Sequence, residues 1–119
     1  MRKSLVPALA LLVLASPAAA QQAVPVPVEN DLRCIAVLSA LTGNLAEGEQ
    51  RAQMAAAVMY FLGHFDGQGT KLDLKAELKR IVPGLTAQQM GDEAKRCAAI
   101  LIEKGTQLQD VGKELSGAK

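Results

Sequence analysis

Cys34 and Cys97 are the only two cysteines of the chain, and a bond between them would constrain the fold more than any other feature. It would close a loop of about 60 residues, restricting the unfolded chain by about 4 kcal/mol in the loop-entropy picture. For a small core that is a large share of the total stability. The alternative use of a cysteine pair, a four-ligand zinc site, is poorly served, because His64 is the single histidine. Bond formation depends on the redox compartment, and the N-terminus bears on that.

Residues 1–20 have the three parts of a secretory signal: basic Arg2 and Lys3, an apolar stretch over 5–15, and small residues Ala18 and Ala20 ahead of Gln21. The apolar stretch is about half the roughly 20 residues a spanning helix needs. No cysteine follows the cleavage point, so a lipid anchor is not expected. Cleavage after Ala20 would deliver the chain to the periplasm or the exterior, with no membrane insertion afterwards. There Cys34 and Cys97 are expected to form a disulfide.

The remaining 99 residues suffice for one small domain. They carry 11 basic and 12 acidic side chains, a net charge of −1. Such a balance offers nucleic acid no electrostatic footing. Tyr60, Phe61 and Phe65 are the only aromatic residues, so stacking platforms for bases or sugars are scarce.

Residues 21–29 (QQAVPVPVE) alternate valine and proline, which predicts an extended, flexible arm. Residues 30–119 read as one helical domain. A first helix over 31–42, capped by Asn30 or Asp31 and ended by Gly43, is apolar on nearly every side, the mark of a buried helix. A second begins near Asn44, with Glu47 completing a capping box and pairing with Arg51. Its stripe Met54, Val58, Phe61, Phe65 repeats at helical spacing, and it ends among Gly63, Gly67 and Gly69. A third, over 71–82, is capped by Thr70 and stopped by Pro83-Gly84. The fourth has the clearest start: Thr86 caps, Gln89 stands three residues on, and Leu85 and Met90 can form a hydrophobic staple. Met90, Ala94, Cys97, Leu101, Leu108 and Leu115 share one side of it, with a bend or break expected near Gly105. The expected fold class is all-α: a small four-helix domain, orthogonal or bundle-like, with one disulfide. That bond should clamp the first helix onto the last and enclose the middle two.

Candidate chemistry is sparse. Residues 66–77 have the length of a calcium loop, with Asp66 first and Glu77 last. Gln68 is a poor ligand there, and Lys71 stands where the loop needs glycine. No metal or cofactor is therefore expected. His64 has only Asp66 as a nearby acid and reads as a half-exposed side chain whose removal should matter little. No nucleophile elbow, phosphate loop or catalytic carboxylate pair is present, so no catalytic residue is named and the chain is not expected to be an enzyme. What stands out is the apolar load, half of all residues. It fills a core, or part of it binds other proteins, with Met54, Val58, Phe61 and Phe65 as the candidate protein-binding surface. The like-charge pairs Asp73–Glu77 and Asp110–Glu114 would lose their repulsion in acid.

The Cys34 helix, the helix–glycine turn over 61–69, the cap-then-cysteine segment over 85–97 and the tail ending Gly112-Lys113-Glu114-Leu115 together resemble the HdeA-like periplasmic acid-stress chaperones. The resemblance covers most of the exported chain. Ile35-Ala36-Val37 after Cys34 lack an aromatic, and the cysteine spacing is longer than usual for that family. The resemblance implies a non-catalytic stress-response chaperone whose partners are unfolded client proteins. The alternatives are an immunity-type or adaptor module for one envelope partner, and a small structural subunit of an envelope complex.

Overall fold

A helix with no polar side has to be surrounded, and the first helix is the hub of this fold. The computed structural model describes residues 23–117; the expected signal sequence and residues 21–22 of the expected arm lie outside them. Four helices follow in order: α1 (Val26–Gly43), α2 (Glu49–Gly67), α3 (Leu74–Ile81) and α4 (Ala87–Leu115), with a single 3-10 turn, Val82–Gly84, between the last two. No strand occurs among the described residues. The expected all-α, four-helix class is correct.

Helix α1 is the main packing partner of α2, α3 and α4 alike. Leu32, Cys34, Ile35, Ala36, Val37 and Leu38 are all buried along it. The enclosed helix is thus the first, not the middle two. Phe61 and Phe65 of α2, Ile81 of α3 and Cys97 of α4 complete the core around it. Cys34 and Cys97 form the expected disulfide, with Cα atoms 5.7 Å apart. Helix α2 runs antiparallel to α1: Asp31 meets His64 while Leu41 shares a cleft with Met54.

Several boundaries differ from expectation. The Val-Pro segment is an extended arm only as far as Pro25, which occupies the N-cap position of α1 with Pro27 in the first turn. Proline is tolerated there because a first-turn N–H has no helical acceptor anyway. Val28 is consequently core, not spacer. Gly43 stays helical, and Asn44 closes α1 by donating its N–H back to Leu41. Asn44 therefore does not start α2. That helix starts after Gly48, whose φ of 147° suits glycine. Asp73, not Thr70, caps α3, accepting from the Ala76 N–H at 2.7 Å.

The Thr86–Gln89 capping box of α4 is present in both directions, at 2.9 and 3.2 Å. The helix runs unbroken through Gly105 and Gly112. Each glycine costs about 1 kcal/mol relative to alanine, too little to split a helix anchored at Cys97. Beyond Lys104 it outruns the other helices, and Leu108 and Leu115 are 72% and 84% exposed.

Candidate functional site

Asp31 is the one buried polar or charged residue among the described residues, and a buried carboxylate is costly unless paired. It sits inside α1 rather than capping it. His64 and Gln68 lie one turn apart on the α2 face that meets α1, and both reach it. His64 Nδ1 donates to Asp31 Oδ2 at 2.7 Å, and the Gln68 side-chain amide donates to the same oxygen. The His64 ring stacks on Tyr60, with centroids 6.5 Å apart. Asp66, the acid nearest in sequence, is not its partner.

Two more charge links radiate from α1. Glu29 accepts from Arg80 of α3 at 2.7 Å, and Arg80 also bonds Glu77 of its own helix. Glu29 first, then Glu77, hold the Arg80 guanidinium above its ordinary pKa. On the other side, Arg33 of α1 lies 3.5 Å from Glu93 of α4. Glu93 is shared with Arg96, which also donates to the Asn30 carbonyl oxygen at 3.0 Å and approaches the Cys34 sulfur. Ion pairs thus tie α1 to each of the other three helices: Asp31 to α2, Glu29 to α3, and Arg33 to Glu93 of α4.

Asp31, Tyr60, His64, Arg96 and Lys104 line a cleft of about 290 Å³ at the end of the core. With Nδ1 held by Asp31, the ring's Nε2 is left for solvent or a ligand. The pair joins α1 to α2 at the wall of this cleft, where Tyr60 is the one residue with a hydroxyl. No group of three metal-ligating side chains occurs among the described residues, and Glu77 of the calcium-length segment is engaged by Arg80.

The stripe Met54, Val58, Phe61, Phe65 does not form a surface in this state. Phe61 and Phe65 are 2% and 4% exposed, and Met54 and Val58 pack half-buried against the same core. Nor are the like-charge pairs left to repel each other. Asp73 is spent on the α3 cap, Glu77 on Arg80, and Asp110 lies 3.5 Å from Lys113. Apolar surface is found elsewhere, in a cleft of about 470 Å³ along α3 and on the projecting end of α4. Periodicity could locate those stripes but not say which would be covered.

No helix among the described residues is long and apolar enough to cross a membrane. Comparison of the chain with protein-family models, with curated proteins and with solved structures returns no match.

Proposed function

We propose that this is an exported, non-catalytic helical protein that binds other proteins through apolar surface uncovered by acid, as the resemblance to HdeA-like chaperones implies. One observation carries the reading: an ion pair ties the hub helix α1 to each of its three neighbours, to α2 through Asp31, to α3 through Glu29 and to α4 through Glu93. Carboxylates protonate near pH 4, whereas arginine and histidine stay charged there. Arg80 does not itself supply the acid response. A raised guanidinium pKa is a contribution present at all lower pH and lost only in strong alkali.

The charges facing these carboxylates sharpen the effect. Asp31 faces His64, with Arg96 and Lys104 lining the same cleft; Glu29 faces Arg33 and Arg80; Glu93 faces Arg33 and Arg96. Once the acids are neutral, each site keeps its cations. Full protonation carries the exported chain from −1 toward about +12. The disulfide keeps α1 on α4, so α2 and α3 are the helices free to loosen. Their departure uncovers Leu32, Ile35, Phe61, Phe65 and Ile81, a partly compact state with apolar surface. Phe61 and Phe65 thus serve as a binding surface only after opening.

The test is direct. Near pH 2.5, below the carboxylate range, the oxidised protein should bind a hydrophobic dye and keep a model client soluble, then release both on neutralisation. Dye silence, with client aggregation as fast as without the protein, refutes the reading. An immunity-type or adaptor module is the second reading. It is favoured by Leu108, Val111 and Leu115 on α4, which are exposed without any opening.

A further inference from the structure

Arg96 stands immediately before Cys97 in the chain, yet it reaches across to the other half of the disulfide. Its Nη2 lies 3.3 Å from Cys34 Sγ, the one hydrogen-bond donor found at either sulfur among the described residues. The same Nη2 donates to the Asn30 carbonyl oxygen at 3.0 Å, and Nε donates to Glu93 at 2.8 Å. The guanidinium is thereby fixed over one sulfur and not the other. Glu93 offsets part of its charge, but that carboxylate sits at Nε while the sulfur sits at Nη2. The remaining charges nearby have partners of their own: Arg33 with Glu29 and Glu93, and Asp31 with His64. Lys104 lines the adjoining cleft and bonds Gln107. A bonded sulfur is a weak acceptor, whereas a thiolate accepts a charge-assisted bond of about twice the usual strength. The Arg96 contact therefore counts for most at the moment the disulfide breaks.

We propose that the two cysteines have unequal parts in thiol–disulfide exchange: Cys97 is the sulfur attacked and modified, and Cys34 is the thiolate that leaves. An incoming thiolate bonds to Cys97 Sγ, the Cys34–Cys97 bond breaks, and its electron pair goes to Cys34 Sγ, where the Arg96 N–H receives it. The product is a mixed disulfide on Cys97. A second thiol completes the reduction, taking up two electrons' worth of oxidation as its own disulfide with the first. Exchange prefers the departure of the more acidic thiol, and an adjacent arginine is what makes a cysteine so. Cys97 has no such neighbour on its sulfur, and burial among apolar side chains holds a thiol protonated. Both residues are 0% exposed, so attack waits for α2 or α3 to open locally, as native helices do. Arg96 stays in place through such opening, because its contacts with Asn30 and Cys34 lie between α1 and α4, the two helices the disulfide clamps. The inference needs no acid and is independent of the chaperone reading.

Reduced glutathione at neutral pH is the probe. The oxidised protein is exposed to it, quenched with an alkylating reagent and digested with trypsin. Arg33 and Arg96 directly precede the two cysteines, so each falls on its own peptide. Glutathione should be found on Cys97 and the alkyl group on Cys34, in clear excess over the reverse species. Arg96→Met should even out the two species. A second measurement reads the thiols one at a time, by the ultraviolet absorbance of the thiolate in Cys97→Ser and Cys34→Ser chains checked for helix by circular dichroism. Cys34 should ionise at least about one pH unit below Cys97, the low end of what a neighbouring opposite charge does, and Arg96→Met should remove the gap. An even split of glutathione in wild type, or an excess on Cys34, overturns the proposal. So does a split that Arg96→Met leaves unchanged, or coincident ionisation of the two thiols in folded variants. If a single-cysteine chain does not fold, the glutathione split decides alone.

Discussion

His64 Nδ1 lies 2.7 Å from Asp31 Oδ2 across 33 residues of chain, and this contact joins α2 to the buried centre of α1. Its acid partner is 9% exposed at the side chain while the imidazole is 56% exposed. One member thus depends on the other far more than the reverse. Asp31 without His64 keeps only the Gln68 amide in a place with little water.

The consequence is measurable as stability. His64→Ala should cost about 1–3 kcal/mol in urea unfolding, the range for stranding a buried hydrogen-bonding group. Its neighbours in sequence alone would make the same substitution nearly neutral. Asp31→Ala with His64→Ala should cost less than the sum of the single changes, since the pair is coupled. Additive losses would show that the two side chains do not interact.

The disulfide predicts a chemical outcome. Protein recovered from an oxidising compartment should have both Cys34 and Cys97 blocked to alkylating reagents, detected by mass. Cys34→Ser with Cys97→Ser should lose about 2–5 kcal/mol. Two free thiols in the folded, exported protein would contradict the joining of α1 to α4.

Core and projection should respond oppositely to truncation. Phe61→Ala empties a position that is 2% exposed and should cost about 3–5 kcal/mol. Leu108→Ala, on the free end of α4, should change stability by no more than about 0.5 kcal/mol. Thermal melts of the two variants make the comparison.

Neutral substitutions should imitate acid. Glu29→Gln, Asp31→Asn and Glu93→Gln together remove the carboxylate charge from every link to α1. An ionised carboxylate in an ion pair stabilises above the carboxylate range and stops doing so as pH falls through it. The triple variant should therefore bind a hydrophobic dye at a pH where the wild type does not. An unchanged dye profile across pH 2 to 7 would show that these links do not hold the closed state.

Read along the chain, local chemistry was enough to find four helices. Thr86 and Gln89 mark the start of α4 because a capping box is closed within four residues. The stripe through Phe61 and Phe65 shows a core-facing side because helical periodicity is local. The Cys34–Cys97 bond was legible because an even pair in a chain expected to be exported has few other uses. Where local signals competed, tertiary context chose. Pro25 and Pro27 read as extended chain in isolation, yet they open α1 once Val28 has a core to enter. Asn44 and Glu47 have the pattern of a helix start, but the reversal between α1 and α2 occupies those residues, and the helix waits for Gly48.

The partner of His64 was out of reach for a different reason. Asp31 is 33 residues away, and as a sequence signal it is an ordinary helix-capping acid. Nothing in its neighbourhood says that it is buried. That follows only from α1 packing against all three other helices, which places one α1 carboxylate against α2, another against α3, and an α4 carboxylate against Arg33. Helix content and the covalent clamp follow from short-range pattern and redox chemistry, so the chain alone determines them. Which helix becomes the hub, and which acids therefore hold the others to it, depends on how apolar faces share a limited interior, and only the packed structure decides that.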